Sequence, residues 1–127
     1  MRMVAISAIF LLIMILIWVW FHFTSIEMIT FYYWENLIDL SNKIYNDDWD
    51  KAEMDMVLYS NKWEETREMW VYFINQKDID KIDESMRRLH VYIRNFNKTM
   101  AQAELEQLRI LFNVIKENEC LSLENIF

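Results

Sequence analysis

Serine, histidine and acidic side chains are the residues of this chain that could perform nucleophilic catalysis. Such chemistry also needs backbone N–H groups that bind the developing oxyanion, often supplied by a loop containing glycine. The chain contains no glycine, which argues against an oxyanion loop, a phosphate-binding P-loop and a dinucleotide-binding fingerprint. We therefore expect no enzymatic activity and no bound cofactor. The serines considered fall on predicted helices or in the tail: Ser25, Ser41, Ser60, Ser85 and Ser122.

Metal ligands are too few to predict a site. A di-metal helical bundle uses paired Glu-x-x-His motifs from different helices, whereas His90 has Arg87 three residues before it and His22 lies in an apolar stretch. Cys120 is the one cysteine, so it cannot form an intramolecular disulfide. We expect no metal site. Cys120 is predicted to be a small half-buried residue, with a disulfide between two chains as the alternative.

Aromatic side chains form two groups that could bind a partner. Trp63 and Trp70 belong to a seven-residue repeat that also contains Trp49 and Met56, the spacing of a helix seam in a bundle. Such a stripe usually forms a core, but tryptophan is bulky for a narrow seam, so a groove for a partner helix or an aromatic ligand site is an alternative. The second group is a run of four aromatic residues, which cannot all face one core. The candidate interaction surface therefore consists of Phe31, Tyr32, Tyr33, Trp34, Trp63 and Trp70.

An uncharged stretch of 21 residues, Met3 to Phe23, lies near the start of the chain. As an α-helix it spans about 32 Å, enough to cross the hydrocarbon core of a bilayer. Because no small-x-small cleavage pattern follows it, we expect an uncleaved signal-anchor that contacts membrane lipid. The alternative, a buried hairpin helix of a soluble protein, fits an uncharged stretch at a chain end poorly.

The charges around this stretch favour an N-terminus in the cytoplasm. Arg2 and the α-amino group precede it, and positive charge is retained on the cytoplasmic side. Three acidic residues and one lysine follow it: Glu27, Glu35, Asp39 and Lys43. The aromatic residues between Trp18 and Phe23 are expected to mark the outer headgroup layer. The rest of the chain is therefore predicted to be extracytoplasmic.

Residues 24–127 are predicted to form one acidic domain, separate from the anchor at residues 1–23. They carry 20 acidic and 12 basic residues, a formal charge of −8. Nucleic-acid binding needs a basic face, so we expect no nucleic-acid partner. The chain also lacks proline, and the absence of proline and glycine favours uninterrupted helices. The predicted fold is all-α: an N-terminal transmembrane signal-anchor helix followed by an antiparallel bundle of about four helices.

Apolar residues recur at three- and four-residue steps in four segments, which predicts four helices. The first runs from about Ser25 to Tyr45. No helix breaker separates it from the anchor, so whether the two form one continuous rod stays open. Asn46 is expected to end it. The inward residues of the first, third and fourth helices are predicted to be Ile26, Ile29, Tyr33, Leu37, Leu40, Ile44, Ile79, Ile82, Met86, Leu89, Ile93, Phe96, Leu105, Leu108, Phe112 and Ile115.

Short polar residues mark the predicted helix starts. The second helix is predicted to begin at Asp47 or Asp48, and Asp47 with Asp50 resembles a capping pair. Asp78 indicates the start of the third helix, and Thr99 with Gln102 that of the fourth.

Helices joined by short connections run antiparallel, so the position of each turn predicts which residues face each other. A turn centred on Gln76 and Lys77 places Trp63 beside His90. The same register predicts two surface ion pairs, each worth about 0–1 kcal/mol: Glu65 with Arg88, and Glu68 with Arg87.

The chain ends in the pattern Leu-x-Leu-x-Asn-Ile-Phe, formed by Leu121, Leu123, Asn125, Ile126 and Phe127. This tail is apolar, and we expect it to pack back onto the bundle. With the Asp48-Trp49 pair and Trp63, the chain resembles an uncharacterised family of short bacterial proteins that have a single membrane anchor and an acidic helical domain. The resemblance covers most of the chain and implies that fold and a single-pass topology. The function of the family is unknown, so it implies no activity and no site residue.

The sequence therefore predicts a single-pass protein of the bacterial cell membrane. The leading hypothesis is an accessory or scaffolding protein that binds another membrane or envelope protein through its bundle. The alternative is an extracytoplasmic ligand-sensing bundle that relays through a partner, because two cytoplasmic residues cannot signal by themselves. The identity of the partner or ligand and the oligomeric state, a homo-oligomer included, stay open.

Overall fold

The computed structural model describes the backbone of residues 1–126 and the side chains of residues 1–118. Within this part the chain forms four α-helices and no strand: α1 (Arg2–Tyr45), α2 (Trp49–Trp70), α3 (Gln76–Arg94) and α4 (Lys98–Ile126). Each helix contacts the next, and α4 closes the ring against α1. Because the connections are short, neighbouring helices run antiparallel. The prediction of an all-α fold with four packed helices is confirmed.

Helix α1 is a single helix of 44 residues with two different surroundings. Up to residue 23 none of its side chains is buried, whereas from Ile26 onward one stripe faces the other helices. Because neither glycine nor proline interrupts it, the helix continues from the apolar half into the bundle. Asn46 follows its last residue, as predicted. The buried residues of the stripe are Ile26, Thr30, Tyr33, Leu37, Leu40 and Ile44.

Four aromatic side chains meet in the core of the bundle. Tyr33 of α1 stacks on Phe112 of α4 with ring centroids 4.3 Å apart. Trp63 and Trp70 of α2 meet Phe112 edge to face, at 5.8 and 6.5 Å. Aromatic pairs in these geometries contribute about 0.5–1.5 kcal/mol each beyond their buried area. The seven-residue repeat of α2 is therefore a core stripe, in which Met56 is also buried.

Buried and half-buried polar groups connect α1 to its two neighbours and fix their register. The hydroxyl of Tyr33 donates to the carbonyl of Tyr59 on α2 at 2.9 Å. Burial raises the pKa of Tyr33 well above its usual range, so the hydroxyl stays a donor. On the other side, Ser41 Oγ donates to Gln102 Oε1 of α4 at 2.6 Å, and Gln102 Nε2 donates back to the carbonyl of Ser41 at 2.9 Å.

The turn between α2 and α3 lies earlier than predicted. Helix α2 ends at Trp70, and the connection comprises residues 71–75. Asn75, and not Asp78, is the N-cap of α3, and its side chain accepts the N–H of Lys77 at 3.0 Å. An asparagine there satisfies one of the unpaired N–H groups of the first turn, whereas Asp78 already lies inside the helix.

The earlier turn changes which residues face each other across α2 and α3. The indole N–H of Trp63 donates to Oδ1 of Asp83 at 2.6 Å, about two helical turns before the predicted neighbour His90. Arg87, expected beside Glu68, donates to the carbonyl of Asp83 at 3.4 Å. In an antiparallel pair, an error of one residue in the centre of the turn moves the facing residue by two, so a small boundary error displaces every predicted contact.

The prediction that Arg88 pairs with Glu65 is wrong for the same reason. Arg88 Nε instead lies 3.1 Å from Oε1 of Glu104 on α4. The same carboxylate oxygen accepts the hydroxyl of the buried Ser85 at 2.7 Å. The arginine therefore stabilises the contact between α3 and α4 rather than the contact between α2 and α3.

Two further helix starts are capped differently from the prediction. Asp48, one of the two residues predicted, is the N-cap of α2, but the capping pair of Asp47 with Asp50 does not form, since the cap of α2 has no side-chain hydrogen bond. At the start of α4, the side chain of Asn97 accepts the N–H of Met100 at 3.2 Å. Asn97 therefore caps α4 in place of the predicted Thr99. Gln102, which was predicted to pair with Thr99, binds Ser41 of α1 instead.

Helices α1 and α3 both end in a Schellman motif, although the chain has no glycine to occupy it. After α1, the N–H groups of Asp48 and Asp47 donate to the carbonyls of Lys43 and Ile44, and equivalent bonds close α3. The left-handed residue is Asp47 in one motif, with φ of 60°, and Phe96 in the other, with φ of 55°. Phe96 is thereby turned outward, so its predicted inward position is wrong.

The other inward residues predicted for α3 and α4 are buried, and Ile29 of α1 is half-buried against the core. Helix α4 continues to Ile126 along its backbone. The predictions for Cys120 and for the tail from Leu121 to Phe127 concern side chains that lie outside the described residues.

Candidate interaction surface

The aromatic run on α1 is divided between the core and the surface. Tyr33 is fully buried, and Tyr32 is half-buried with its ring 5.2 Å from Tyr33 and 6.2 Å from Tyr59. Phe31 and Trp34 keep 65% and 43% of their surface exposed. Successive residues of a helix point about 100° apart, so this division follows from the geometry of one continuous helix. The exposed pair is the part of the predicted surface that a partner could reach.

Trp63 and Trp70, the other two tryptophans of the predicted surface, lie in the core. Both are buried, and their rings contact each other at 5.8 Å. Trp63 forms part of the wall of a polar groove between α2 and α3, but only 3% of its surface is exposed there, and Trp70 is fully enclosed. Together with Tyr33, these residues stabilise the bundle and are not available to a partner in this conformation.

An open groove lies between α1 and α4, next to the exposed aromatic pair. Its volume is about 390 Å³. The buried Thr30 and Phe112 lie at its base, and more exposed residues form its two sides. The lining consists of Thr30, Phe31, Trp34 and Glu35 from α1 and of Phe112, Asn113 and Lys116 from α4. We call this feature the α1–α4 groove.

Charged side chains surround the aromatic wall of the α1–α4 groove. The guanidinium carbon of Arg109 lies 4.1 Å from the ring centroid of Trp34, and the arginine side chain is only 16% exposed, so this cation–π contact is worth about 0.5–2 kcal/mol. Arg109 also contacts Glu106 at 3.1 Å. Glu35 and Lys116 bring opposite charges to the two sides of the groove. The groove therefore offers an aromatic anchor site with acidic and basic groups at its edges.

The α4 side of this groove was not predicted as a site. Phe112 was assigned to the core, and nothing within α4 distinguishes Asn113 and Lys116 from other polar surface residues. Only the register of α4 against α1, fixed by the Ser41–Gln102 contact, brings them opposite the aromatic run. The one signal in the sequence was on α1, where four consecutive aromatic residues exceed what one core face accepts.

A second groove, between α2 and α3, is polar. Its central acid is Asp83, which accepts the indole N–H of Trp63 and lies 3.1 Å from Nε of Arg67. The carboxylate is therefore already held by two groups of the protein. This arrangement ties two helices together and leaves little of the acid for a ligand.

His90 lines the same groove, and its Nε2 lies 3.9 Å from Oε1 of Glu53. Burial lowers the pKa of His90, the positive charge of Arg94 lowers it further, and Glu53 partly opposes both. The imidazole is therefore neutral at pH 7. No group of three or more His, Cys, Asp or Glu residues within the described side chains is placed to hold a metal ion.

The first half of α1 is long and apolar enough to cross a membrane. Its most apolar window of 18 residues has no residue buried within the protein. Phe73, in the turn between α2 and α3, contacts the far end of this segment, with ring centroids 6.1 Å from Trp18 and 4.1 Å from His22. That end of the bundle therefore lies beside Trp18 and His22.

The structure is that of an all-α protein with four packed helices, of which the first has a long apolar half that the other helices do not cover. The chain matches the family described as domain of unknown function DUF4363 over residues 20–126, and it belongs to that family. This membership confirms the resemblance to an uncharacterised family. Comparison with curated proteins found no match, and comparison with solved structures found none either.

Proposed function

We propose that this protein is a membrane-anchored accessory or scaffolding protein of the bacterial cell envelope, which binds another membrane or envelope protein through its bundle. Residues 3–23 are the signal-anchor and contact lipid, the N-terminus is cytoplasmic, and residues 24–127 are extracytoplasmic. The uncovered apolar surface of the anchor supports the membrane location. The orientation is supported by the positive charges of Arg2 and the α-amino group before the segment, against Lys43 alone in the first twenty residues after it.

The exposure of Phe31 and Trp34 beside the α1–α4 groove carries the proposal of a partner. Aromatic residues next to a pocket are the side chains that most often dominate binding energy at protein interfaces. Phe31 lies eight residues after Phe23, about 12 Å along the helix. A partner anchored in the same membrane can reach this position with an amphipathic helix that continues from its own membrane segment.

Photo-crosslinking in intact cells tests this proposal. A benzophenone amino acid replaces Phe31 in one variant and Met54, an exposed residue on α2 away from the groove, in a control. We expect a discrete adduct at position 31 that disappears when Trp34→Ala is added, and no such adduct at position 54. Absence of an adduct at position 31, or equal adducts at both positions, would contradict the proposal.

The mass of the adduct identifies the class of partner. An adduct of twice the mass of the chain indicates a homo-oligomer built on this groove. Any other single mass that fractionates with membranes indicates a different membrane or envelope protein, which peptide mass spectrometry then names.

A ligand-sensing bundle is the second candidate, and the continuity of α1 favours it. The groove volume of about 390 Å³ lies within the 300–1,000 Å³ typical of small-molecule sites. One helix runs from the groove to the membrane segment without a break, so a ligand could bias the anchor and, through it, a partner. A small-molecule thermal-shift screen on the full chain in detergent tests this, with Trp34→Ala as the variant that should lose any stabilisation.

A further inference from the structure

The turn between α2 and α3, residues 71–75, presents apolar side chains to solvent. Val71 is 41% exposed and Tyr72 is 83% exposed, while Ile74 beneath them is buried. Backbone N–H groups of the turn donate to the carbonyls of Arg67 and Trp70. These bonds hold the turn in one conformation, so the exposed pair is a fixed part of the surface.

Phe73 fixes where this turn lies relative to the apolar half of α1. Its ring meets His22 at 4.1 Å and Trp18 at 6.1 Å, both edge to face. Trp18 precedes Phe23, the end of the apolar segment, by five residues, which corresponds to about 8 Å of helix. The turn therefore lies alongside the aromatic end of the segment rather than beyond it.

The connections at the opposite end of the bundle are mostly polar, although Tyr45 and Phe96 are exposed there as well. The two connections, residues 46–48 and 95–97, consist of asparagine and aspartate apart from Phe96. Lys98 links them by an ion pair of 2.9 Å with Asp47. The chain thus has polar turns at the end far from the apolar segment and a Val-Tyr-Phe-Ile turn at the end next to it.

We infer that the turn of residues 71–75 is a second membrane contact, which inserts Val71 and Tyr72 into the lipid–water interface beside the anchor. The inference rests on the proposed anchoring of residues 3–23. Tyrosine suits this layer because its ring lies against apolar lipid while its hydroxyl stays hydrated. The turn is flanked by both acidic and basic residues, with the acidic ones in excess, so the contact needs no anionic lipid and forms on phosphatidylcholine.

A second membrane contact would restrict the orientation of the bundle on the membrane. A single helix allows the bundle to rotate about the anchor axis, whereas a second contact point away from that axis fixes the rotation. Since Phe31 and Trp34 lie on the same helix as the anchor, the contact at Tyr72 fixes the direction in which the α1–α4 groove faces along the membrane.

Spin-label accessibility in phosphatidylcholine vesicles tests the inference on the full chain. In a Cys120→Ser background, a nitroxide is attached at Tyr72→Cys. Two further labels give the reference values: Leu12→Cys in the middle of the apolar segment, and Tyr45→Cys, a 74% exposed tyrosine at the far end of the bundle. The ratio of collisions with oxygen to collisions with a soluble nickel chelate reports the depth of each label.

We expect the ratio at residue 72 to lie clearly above that at residue 45 and below that at residue 12. A label at Val71→Cys should give the same result, which guards against a local disturbance by the first substitution. If residue 12 is in lipid but residues 71 and 72 match residue 45, the second contact is overturned and the anchor stands. If residue 12 itself matches residue 45, both the anchor and the inference are overturned.

Discussion

Asp83 holds α2 and α3 together through its carboxylate. Oδ1 accepts the indole N–H of Trp63 at 2.6 Å, and Oδ2 lies 3.1 Å from Nε of Arg67. Because Trp63 is buried, Asp83→Ala leaves its indole N–H without this acceptor and should lower the free energy of unfolding by about 1–3 kcal/mol. Urea unfolding in detergent, followed by circular dichroism, measures the change.

Asp83→Asn is the matched control, since it keeps an oxygen acceptor for Trp63 and removes only the charge opposite Arg67. That arginine is well exposed, and exposed ion pairs contribute about 0–1 kcal/mol. The asparagine variant should therefore be clearly more stable than the alanine variant. Equal losses in the two variants would mean that the ion pair, and not the indole hydrogen bond, provides the stability.

His90 should make the stability of the bundle depend on pH. Burial lowers its folded-state pKa below the ordinary value of 6.5, so between these two pKa values the unfolded chain binds more protons than the folded one. The free energy of unfolding should therefore fall as pH decreases through 6.5 and stop falling below the folded-state pKa. The measurement is urea unfolding between pH 7.5 and pH 5.

His90→Gln removes the titrating group and keeps a polar side chain at the same place. The difference in unfolding free energy between this variant and the natural chain should be constant above pH 7 and should change in favour of the variant below pH 6.5. If the unfolding free energies of the two chains differ by the same amount at every pH, His90 is not the source of the pH dependence.

The aromatic residues show what sequence reasoning can decide for single side chains. Four consecutive aromatic residues on a helix required exposure of some of them, and Phe31 and Trp34 are indeed exposed. The sequence could not say whether Trp63 opened a groove or filled the core, because both arrangements use seven-residue spacing. The outcome depends on whether a side chain of another helix fills the space beside Trp63. Phe112 of α4 does so, and the sequence of α2 alone contains no information about it.

At the scale of helices, the absence of glycine leaves two helix ends with non-glycine residues in the left-handed region. Phe96 has φ of 55°, where an L-residue has a cost of about 1–2 kcal/mol that glycine avoids. Phe96→Gly should therefore be about 1 kcal/mol more stable than Phe96→Ala. Both variants lose the edge contact of Phe96 with Trp49, so it cancels from the comparison. Thermal unfolding of the two variants measures the difference.

The same pair of substitutions at Lys81, an exposed residue inside α3, should give the opposite order. In a helix interior glycine is about 1 kcal/mol less favourable than alanine. If the stability difference between the glycine and alanine variants has opposite signs at positions 81 and 96, the left-handed backbone of Phe96 is the reason that glycine is favoured there. If alanine is more stable at both positions, the strain assigned to Phe96 is absent.

Helix periodicity was easier to predict than helix ends. The stripes of α1, α3 and α4 were visible because apolar residues recur at every turn, and burial rewards that spacing. The caps were wrong because several polar residues compete at each end: Asn75 takes the place expected for Asp78, and Asn97 that expected for Thr99. The error at the start of α3 displaced the contacts predicted between α2 and α3. The α1–α4 groove could not be assembled from the sequence because it depends on the register of α4 against α1, which the Ser41–Gln102 contact fixes.

At the scale of the whole molecule, the described residues form two parts that share few of the described contacts. Residues 1–23 contribute no buried side chain, and the core begins at Ile26 and continues to Ile115 of α4. Among the described side chains, the aromatic contacts of Phe73 with Trp18 and His22 connect the two parts. The bundle should therefore fold without the apolar segment.

Deletion of residues 1–23 tests this separation. The remaining chain should be helical in water without detergent and should unfold cooperatively, because every buried position of the core is retained. Its free energy of unfolding should be lower than that of the full chain by about 1–3 kcal/mol, the value of the two lost aromatic contacts of Phe73. Circular dichroism with urea unfolding measures both properties, and a loss of cooperativity would show that the apolar segment belongs to the bundle core.

A double-mutant cycle then isolates the contact between the two parts. Phe73→Ala removes the ring from the full chain together with its contacts to Trp18 and His22, whereas in the shortened chain those contacts are already gone. The substitution should therefore have a smaller effect in the shortened chain, and the difference is the coupling between the apolar segment and the turn of residues 71–75. If Phe73→Ala lowers the free energy of unfolding equally in both chains, the bundle alone fixes the position of this turn. The contacts of the Phe73 ring with Trp18 and His22 would then not hold the turn beside the apolar segment.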